Sequence, residues 1–144
     1  MFKHVDHVHY VVRDCDAVVD YIEKNFGMKP NSVEINKGNN PAKEALYSVG
    51  KTQIQITEPL KADSALAKHL AAHGPGVFHV AWAIDNILGV ADGLLANGNK
   101  MRGQQKNGIS TSPRGGRTIN IDPSSSHGLW FQLAESDGRE VAKE

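Results

Sequence analysis

From His4 to Val12 apolar and polar residues alternate, which predicts a strand with His7, His9 and Val11 on one face and Val8, Tyr10 and Val12 on the other. The period then changes. Val18, Val19, Ile22 and Phe26 recur at helical spacing, so a helix is expected over Ala17 to Phe26, capped by Asp14 or Asp16 and closed by Gly27. A strand candidate around Val33 and Ile35 leads to a polar turn at residues 37–40. Glu44 to Val49 and Thr52 to Thr57, joined by Gly50-Lys51, read as a hairpin that Pro59 ends. An Ala- and Leu-rich helix over Asp63 to His73 stops at Gly74-Pro75-Gly76.

The second half repeats the scheme. A strand over Val77 to Ile84 precedes a helix over Asn86 to Ala96 and a Gly- and Lys-rich loop from Gly98 to Gly108. Hairpin strands over Thr118 to Ile121 and Leu129 to Leu133 follow, and the charged tail from Asp137 to Glu144 is expected to fray. The repetition extends to single residues. His7-Val-His-Tyr-Val-Val-Arg-Asp14 and His79-Val-Ala-Trp-Ala-Ile-Asp-Asn86 lie 72 residues apart, each with an aromatic three residues after its first His and a helix-starting acid or amide at its end. A strand–helix–strands unit cannot cover its sheet alone. The expected fold class is therefore α+β, with two pseudo-symmetric βαβββ modules forming one cupped mixed sheet around a shared cavity. The modules span about 4–59 and 76–135, joined by a helix over about 63–73, within a single domain covering 1–144.

A histidine at the same register in both halves suggests a site made at their junction. The last strand of each half holds an internal glutamine, Gln55 or Gln132, near its end. If the halves are related by a pseudo-twofold axis, His7, Gln55, His79 and Gln132 converge, and imidazole nitrogens with amide oxygens suit a divalent Zn, Ni, Co, Fe or Mn ion. A lone strand histidine is more often structural than a ligand, and glutamine is common on surface strands; the duplication is what favours a metal.

Composition adds limits more than clues. Sixteen basic residues balance sixteen acidic ones, so nothing marks a nucleic-acid or anionic-membrane partner. No run approaches the roughly 20 apolar residues of a membrane helix. The opening Met1-Phe2-Lys3-His4 enters a strand pattern without an apolar leader core, and the single cysteine, Cys15, is neutral to mildly favourable for a reducing compartment. A cytoplasmic protein is expected.

Thr52-Gln-Ile-Gln-Ile-Thr-Glu-Pro-Leu60, Asp63-Ser-Ala-Leu-Ala-Lys-His-Leu70, Gly76-Val-Phe-His-Val-Ala-Trp82, Asp6-His7-Val8 and Gly115-Gly116 with Ile119-Asn120 together resemble the vicinal oxygen chelate superfamily, which includes glyoxalases, bleomycin-resistance proteins and dioxygenases. Within it the chain is most similar to the methylmalonyl-CoA epimerases. The resemblance implies that His7, Gln55 and His79 are metal ligands, with Gln132 at a fourth position usually held by Glu. It places Glu44 where some epimerases carry a catalytic carboxylate base. It further implies a small-molecule substrate such as an acyl-CoA and a homodimer. The implied reaction is a metal-dependent epimerisation or isomerisation that removes a proton alpha to a carbonyl or thioester. Arg13, Lys51, Arg114 and Arg117 are cations available to a CoA tail.

Two departures from the family pattern stand out. Gln132 leaves the ligand set neutral, which weakens retention of the ion and sharpens it as a Lewis acid. His9 replaces the usual Gly or Ala and shares the face of His7, so it reads as a replacement ligand, a catalytic proton shuttle paired with Glu44, or a residue that reshapes the pocket. A glyoxalase-type lyase, a dioxygenase, a metal-free isomerase and a non-catalytic binding protein remain alternatives. His69 and His73 read as exposed helix residues, His127 as a turn residue that could line the cavity mouth, and Trp82 and Trp130 as core.

Overall fold

The computed structural model of the chain describes residues 1–103, 105–111 and 116–135. The tail beyond 135, Arg114 and Gly115 therefore lie outside the described residues. The elements run β1 (His4–Val11), α1 (Cys15–Phe26), β2 (Ser32–Asn36), β3 (Ala42–Val49), β4 (Thr52–Pro59), α2 (Ala65–His73), β5 (Gly76–Ile84), α3 (Ile87–Ala96), β6 (Met101–Arg102), β7 (Ile109–Thr111), β8 (Arg117–Ile121) and β9 (Phe131–Glu135). The chain is mixed α+β. It divides into two compact units, one comprising His7–Phe78 and the other Met1–Asp6 with the residues from His79 onward. Among the described residues, no helix is long and apolar enough to cross a membrane.

In the first unit the strand order is β2-β3-β4-β1. β2, β3 and β4 are antiparallel neighbours, whereas β1 lies parallel to β4. α1 begins because Asp14, in extended conformation, accepts the Ala17 N–H at 3.0 Å, and the Glu58 carboxylate accepts the Cys15 N–H at 3.0 Å. It ends at Gly27, whose φ of 69° is the left-handed conformation that a Cβ disfavours. Its apolar face packs on one side of the sheet, where Val12, Cys15, Ala45, Tyr47 and Ile56 are buried against Val18, Val19 and Ile22. Burial raises the Cys15 thiol pKa, so this cysteine acts as a small core side chain rather than a nucleophile. α2 starts at Ser64, which caps Ala67, so Asp63 lies outside the helix.

In the second unit β9 lies parallel to β5 and antiparallel to β8, while β6 and β7 both pair antiparallel with β8. The first residues of the chain run alongside β5: the Lys3 N–H donates to the Ala83 carbonyl at 2.9 Å and Phe2 stacks on Trp82 at 4.8 Å. Asn86, seven residues after His79 as Asp14 is after His7, caps α3 by accepting the Gly89 N–H at 3.2 Å. Ile84, Ile87, Ala91, Ile109, Ile119, Ile121 and Leu133 form the core under α3.

Both units are βαβββ modules, with β6 and β7 together standing where β2 stands in the first. The sequence pattern offers a single loop from Gly98 to Gly108 here. The structure instead breaks one strand in two at a tight turn, where a Cβ on Gly103 would come within 2.3 Å of the Gly108 carbonyl oxygen. β8 and β9 are likewise not a close hairpin, because a 3₁₀ turn at Pro123–Ser125 intervenes and β9 begins at Phe131, so Leu129 and Trp130 precede it.

Two substitutions should separate packing from polar burial. Ile119→Ala, at a fully buried position, should cost about 2–5 kcal/mol in urea denaturation. Tyr47→Phe should be neutral or stabilising by up to about 1 kcal/mol, because the Tyr47 hydroxyl is buried with no hydrogen-bond partner among the described residues. A large loss on Tyr47→Phe would show that the hydroxyl is satisfied in solution.

Candidate functional site

In the first unit the parallel pairing of β1 with β4 sets His9 opposite Gln55 and His7 opposite Gln53. Alternation then places His7, His9, Gln53, Gln55 and Thr57 on the sheet face opposite the one covered by α1. Glu44 on β3 faces Thr57 and joins them. His7, Gln55 and Thr57 are buried. His9 Nε2 lies 2.8 Å from Thr57 Oγ1, and the Thr57 hydroxyl donates to Glu44 Oε2 at 3.3 Å. A histidine, a threonine and a carboxylate from three strands are thus linked on one face.

His9 also meets Phe78 edge-on, with ring centroids 5.6 Å apart. His69 from α2 also meets Phe78 edge-on, at 4.9 Å, with His73 at 4.6 Å from His69. His69 is therefore half-buried against an aromatic ring rather than a plain surface residue. Burial first, and the neighbouring His73 second, holds its imidazole pKa below the usual range.

The second unit repeats the register. β5 pairs with β9 so that Ala81 faces Gln132. His79 lies two residues before Ala81, as His7 lies two before His9. His79 is therefore diagonal to Gln132 just as His7 is diagonal to Gln55. The position equivalent to His9 is Ala81, a completely buried methyl side chain.

Trp130, expected in the core, instead lies on this polar face. Its ring is 5.4 Å from that of His79, and its N–H donates to Asn120 Oδ1 at 2.9 Å. The same Asn120 oxygen accepts the Gln132 carboxamide N–H at 3.1 Å. That bond fixes which end of the Gln132 amide is nitrogen. The other end, Gln132 Oε1, is buried and has no hydrogen-bond partner among the described residues. A buried carbonyl oxygen left without a donor is costly, and a cation relieves the cost as well as an N–H does.

Among the described residues no three His, Cys, Asp or Glu side chains are placed together to hold a metal ion, so an ion would have to draw on carboxamides. Each unit carries one residue of either donor type: buried Gln55 and His7 in the first, and Gln132, whose Oε1 is buried, and His79 in the second. The donor types fit a borderline divalent ion.

The proposed rim cations fare unevenly. Arg117 is engaged by Glu135 in a two-point pair, with Nε donating to Oε2 at 2.7 Å, which raises the Arg117 pKa and lowers that of Glu135. Arg13 and Lys51 are exposed. His127 sits in a turn with φ of 57°. Gln53, Thr57 and Asn120 were given no role by the sequence, and Trp130 was read as core. Gln53 and Thr57 carried a signal, each being two residues from Gln55 on an alternating strand.

Over residues 6–114 the chain matches the profile of the glyoxalase/bleomycin resistance protein/dioxygenase superfamily. No match was found among curated protein sequences. Among solved structures, methylmalonyl-CoA epimerase from Mycobacterium tuberculosis is 26% identical, with a TM-score of 0.80 over 93% of this chain and 88% of that one. A methylmalonyl-CoA epimerase solved in selenomethionine form is 28% identical, with a TM-score of 0.78 over 94% of this chain and 96% of that one. A hypothetical protein from Bacillus halodurans shares the fold at 23% identity, with a TM-score of 0.79 over 97% of each chain.

Beside this face, the Arg102 guanidinium lies 5.7 Å from the Trp130 ring centre and donates to Asp122 Oδ2 at 3.1 Å. Hydrogen bonds from Ser124, followed by that from Arg102, lower the Asp122 pKa from 3.8 to about 2. A depressed carboxylate stabilises the fold above its ordinary range and loses that contribution as pH falls through about 2. An NMR titration of the Asp122 carboxyl should therefore show a midpoint near 2, moving upward in Arg102→Met. An ordinary midpoint in the wild type would show that neither contact persists in solution.

Proposed function

The chain belongs to the glyoxalase/bleomycin resistance protein/dioxygenase superfamily, and from that premise we propose that it is a metal-dependent epimerase or isomerase. Its reaction removes and returns a proton alpha to a carbonyl or thioester, and its substrate is an acyl-CoA. The observation that carries this reading is the Glu44 carboxylate, tied through Thr57 to His9 on the same strand face as His7 and Gln55. The likeness to methylmalonyl-CoA epimerases at 26% and 28% identity, each over more than nine-tenths of this chain, supports it.

His7, Gln55, His79 and Gln132 are the side chains that would hold the ion. When bound, a divalent ion supplies Lewis-acid stabilisation of the negative charge that develops on a substrate oxygen. Glu44 takes the α-proton. A carboxylate suits that work because it is ionised at neutral pH and can receive a proton along a lone pair within hydrogen-bond reach. His9, in its doubly protonated form, is the partner acid that returns a proton from Nδ1. Phe78 lies against His9 and Trp130 against His79, and each ring limits the contact of its histidine with water.

Two variants test the roles separately. Glu44→Gln should keep its metal while losing deuterium uptake at the α-carbon of methylmalonyl-CoA in heavy water by at least about 100-fold, in the range of a general base. Retained exchange eliminates Glu44 as the base. Gln132→Glu should bind the ion more tightly in a competition with a chelator, because it adds a negative donor. Unchanged affinity places Gln132 outside the ligand set.

A further inference from the structure

Within the proposed α-proton chemistry, we infer that Thr57 is a positioning residue that sets both the orientation of the Glu44 base and the tautomer of His9. Thr57 is well suited to fix a hydroxyl in space. It is fully buried, its carbonyl accepts the Val12 N–H at 2.9 Å on one side, and it pairs with Glu44 across β3 on the other. Its β-branched side chain has few rotamers to lose.

The hydroxyl carries one proton. Donated to the Glu44 carboxylate at 3.3 Å, that proton leaves only lone pairs for His9 Nε2 at 2.8 Å. His9 must then carry a proton on Nε2. In the neutral ring the lone pair is on Nδ1, and any exchange of a proton or ligand by His9 uses Nδ1 while the bond to Thr57 stands. The Thr57 hydroxyl holds Glu44 through Oε2, which fixes one end of the carboxylate. The contact to Glu44 is long for an O–H···O bond, as contacts at catalytic groups often are before substrate closes the site.

The three side chains depend on one another. Without a hydroxyl at 57, the His9 Nε2–H loses its acceptor and Glu44 loses a donor. The position equivalent to His9 in the second unit is Ala81, so this arrangement belongs to the first unit alone.

The test compares Thr57→Val, which keeps the shape and removes the hydroxyl, with Thr57→Ser, which keeps the hydroxyl. The readouts are α-deuterium uptake into methylmalonyl-CoA and the ring ¹⁵N spectrum of His9. Thr57→Val should lower kcat by about 10- to 100-fold, the scale of a misoriented catalytic group, with KM changed by less than about twofold. Thr57→Ser should recover kcat to within about threefold of wild type. In the wild type the neutral His9 ring should be protonated on Nε2, and Thr57→Val should weaken that preference. Equal kcat in wild type and Thr57→Val overturns the assignment, as does a wild-type ring protonated on Nδ1. A wild type that exchanges no α-proton overturns the proposed function itself and is distinguishable, because the variants then have no activity to lose.

Discussion

The parallel pairing of the first strand of each unit with its last strand is the constraint on which everything else in this protein depends. Antiparallel neighbours could be brought together by short turns, but β1 with β4 and β5 with β9 can pair only after the chain has passed through a helix and the intervening strands. The pairing fixes register, and register fixes which side chains share a face, since a slip of one residue would turn every histidine and glutamine to the opposite side. In both units the outcome is the same: a buried histidine diagonal to a glutamine on the partner strand. What repeats along the sequence is therefore a spatial relation between two strands, carried by residues 48 apart in one half (His7 and Gln55) and 53 apart in the other (His79 and Gln132).

Each unit divides its labour between two sheet faces. One face is closed by a helix and built from aliphatic side chains, with α1 over Ala45 and Ile56 and α3 over Ile119 and Leu133. That face supplies the hydrophobic stabilisation. It frees the opposite face to hold groups a core would reject: imidazoles, carboxamides, a carboxylate and a threonine hydroxyl. Such groups are affordable only when hydrogen-bonded, and most are, through Thr57 in the first unit and Asn120 in the second. Gln132 Oε1 is not hydrogen-bonded among the described residues, although it is an acceptor held in place by the bond its own nitrogen makes. A polar atom both fixed and unsatisfied is a stronger pointer to a ligand than the identity of the residue alone.

Much of this was legible in the sequence, for identifiable reasons. The change from period two to helical period after Val12 and again after Ile84 located both strand–helix junctions, and the capping acid and amide, Asp14 and Asn86, stand seven residues after their histidines. The family resemblance reached the same fold. β6 and β7 were not legible, because a strand of two or three residues beside Gly103 and Gly108 has no period to read. Trp130 was read as core from its size, but its ring belongs to the face of Gln132, where its N–H finds Asn120. Thr57 was passed over because threonine is an ordinary strand filler; only the partners of its hydroxyl distinguish it. The equal registers of the two parallel pairs could not be read at all, since no local pattern states which distant strands meet.

The relation that repeats in both units motivates the central proposal: a bound ion would be held by two imidazoles and two carboxamide oxygens, with no carboxylate among the protein ligands. X-ray absorption at the metal edge of the cobalt-loaded protein tests that claim most directly. The spectrum should show two histidine rings, through their characteristic outer-shell scattering, with nitrogen and oxygen donors near roughly 2.0–2.2 Å, the range typical of such ligands in zinc sites. Three or more rings would bring His9 into the ligand set and break its bond to Thr57 or use its Nδ1. One ring or none would contradict the donor set outright and detach the repeated histidine–glutamine geometry from metal chemistry.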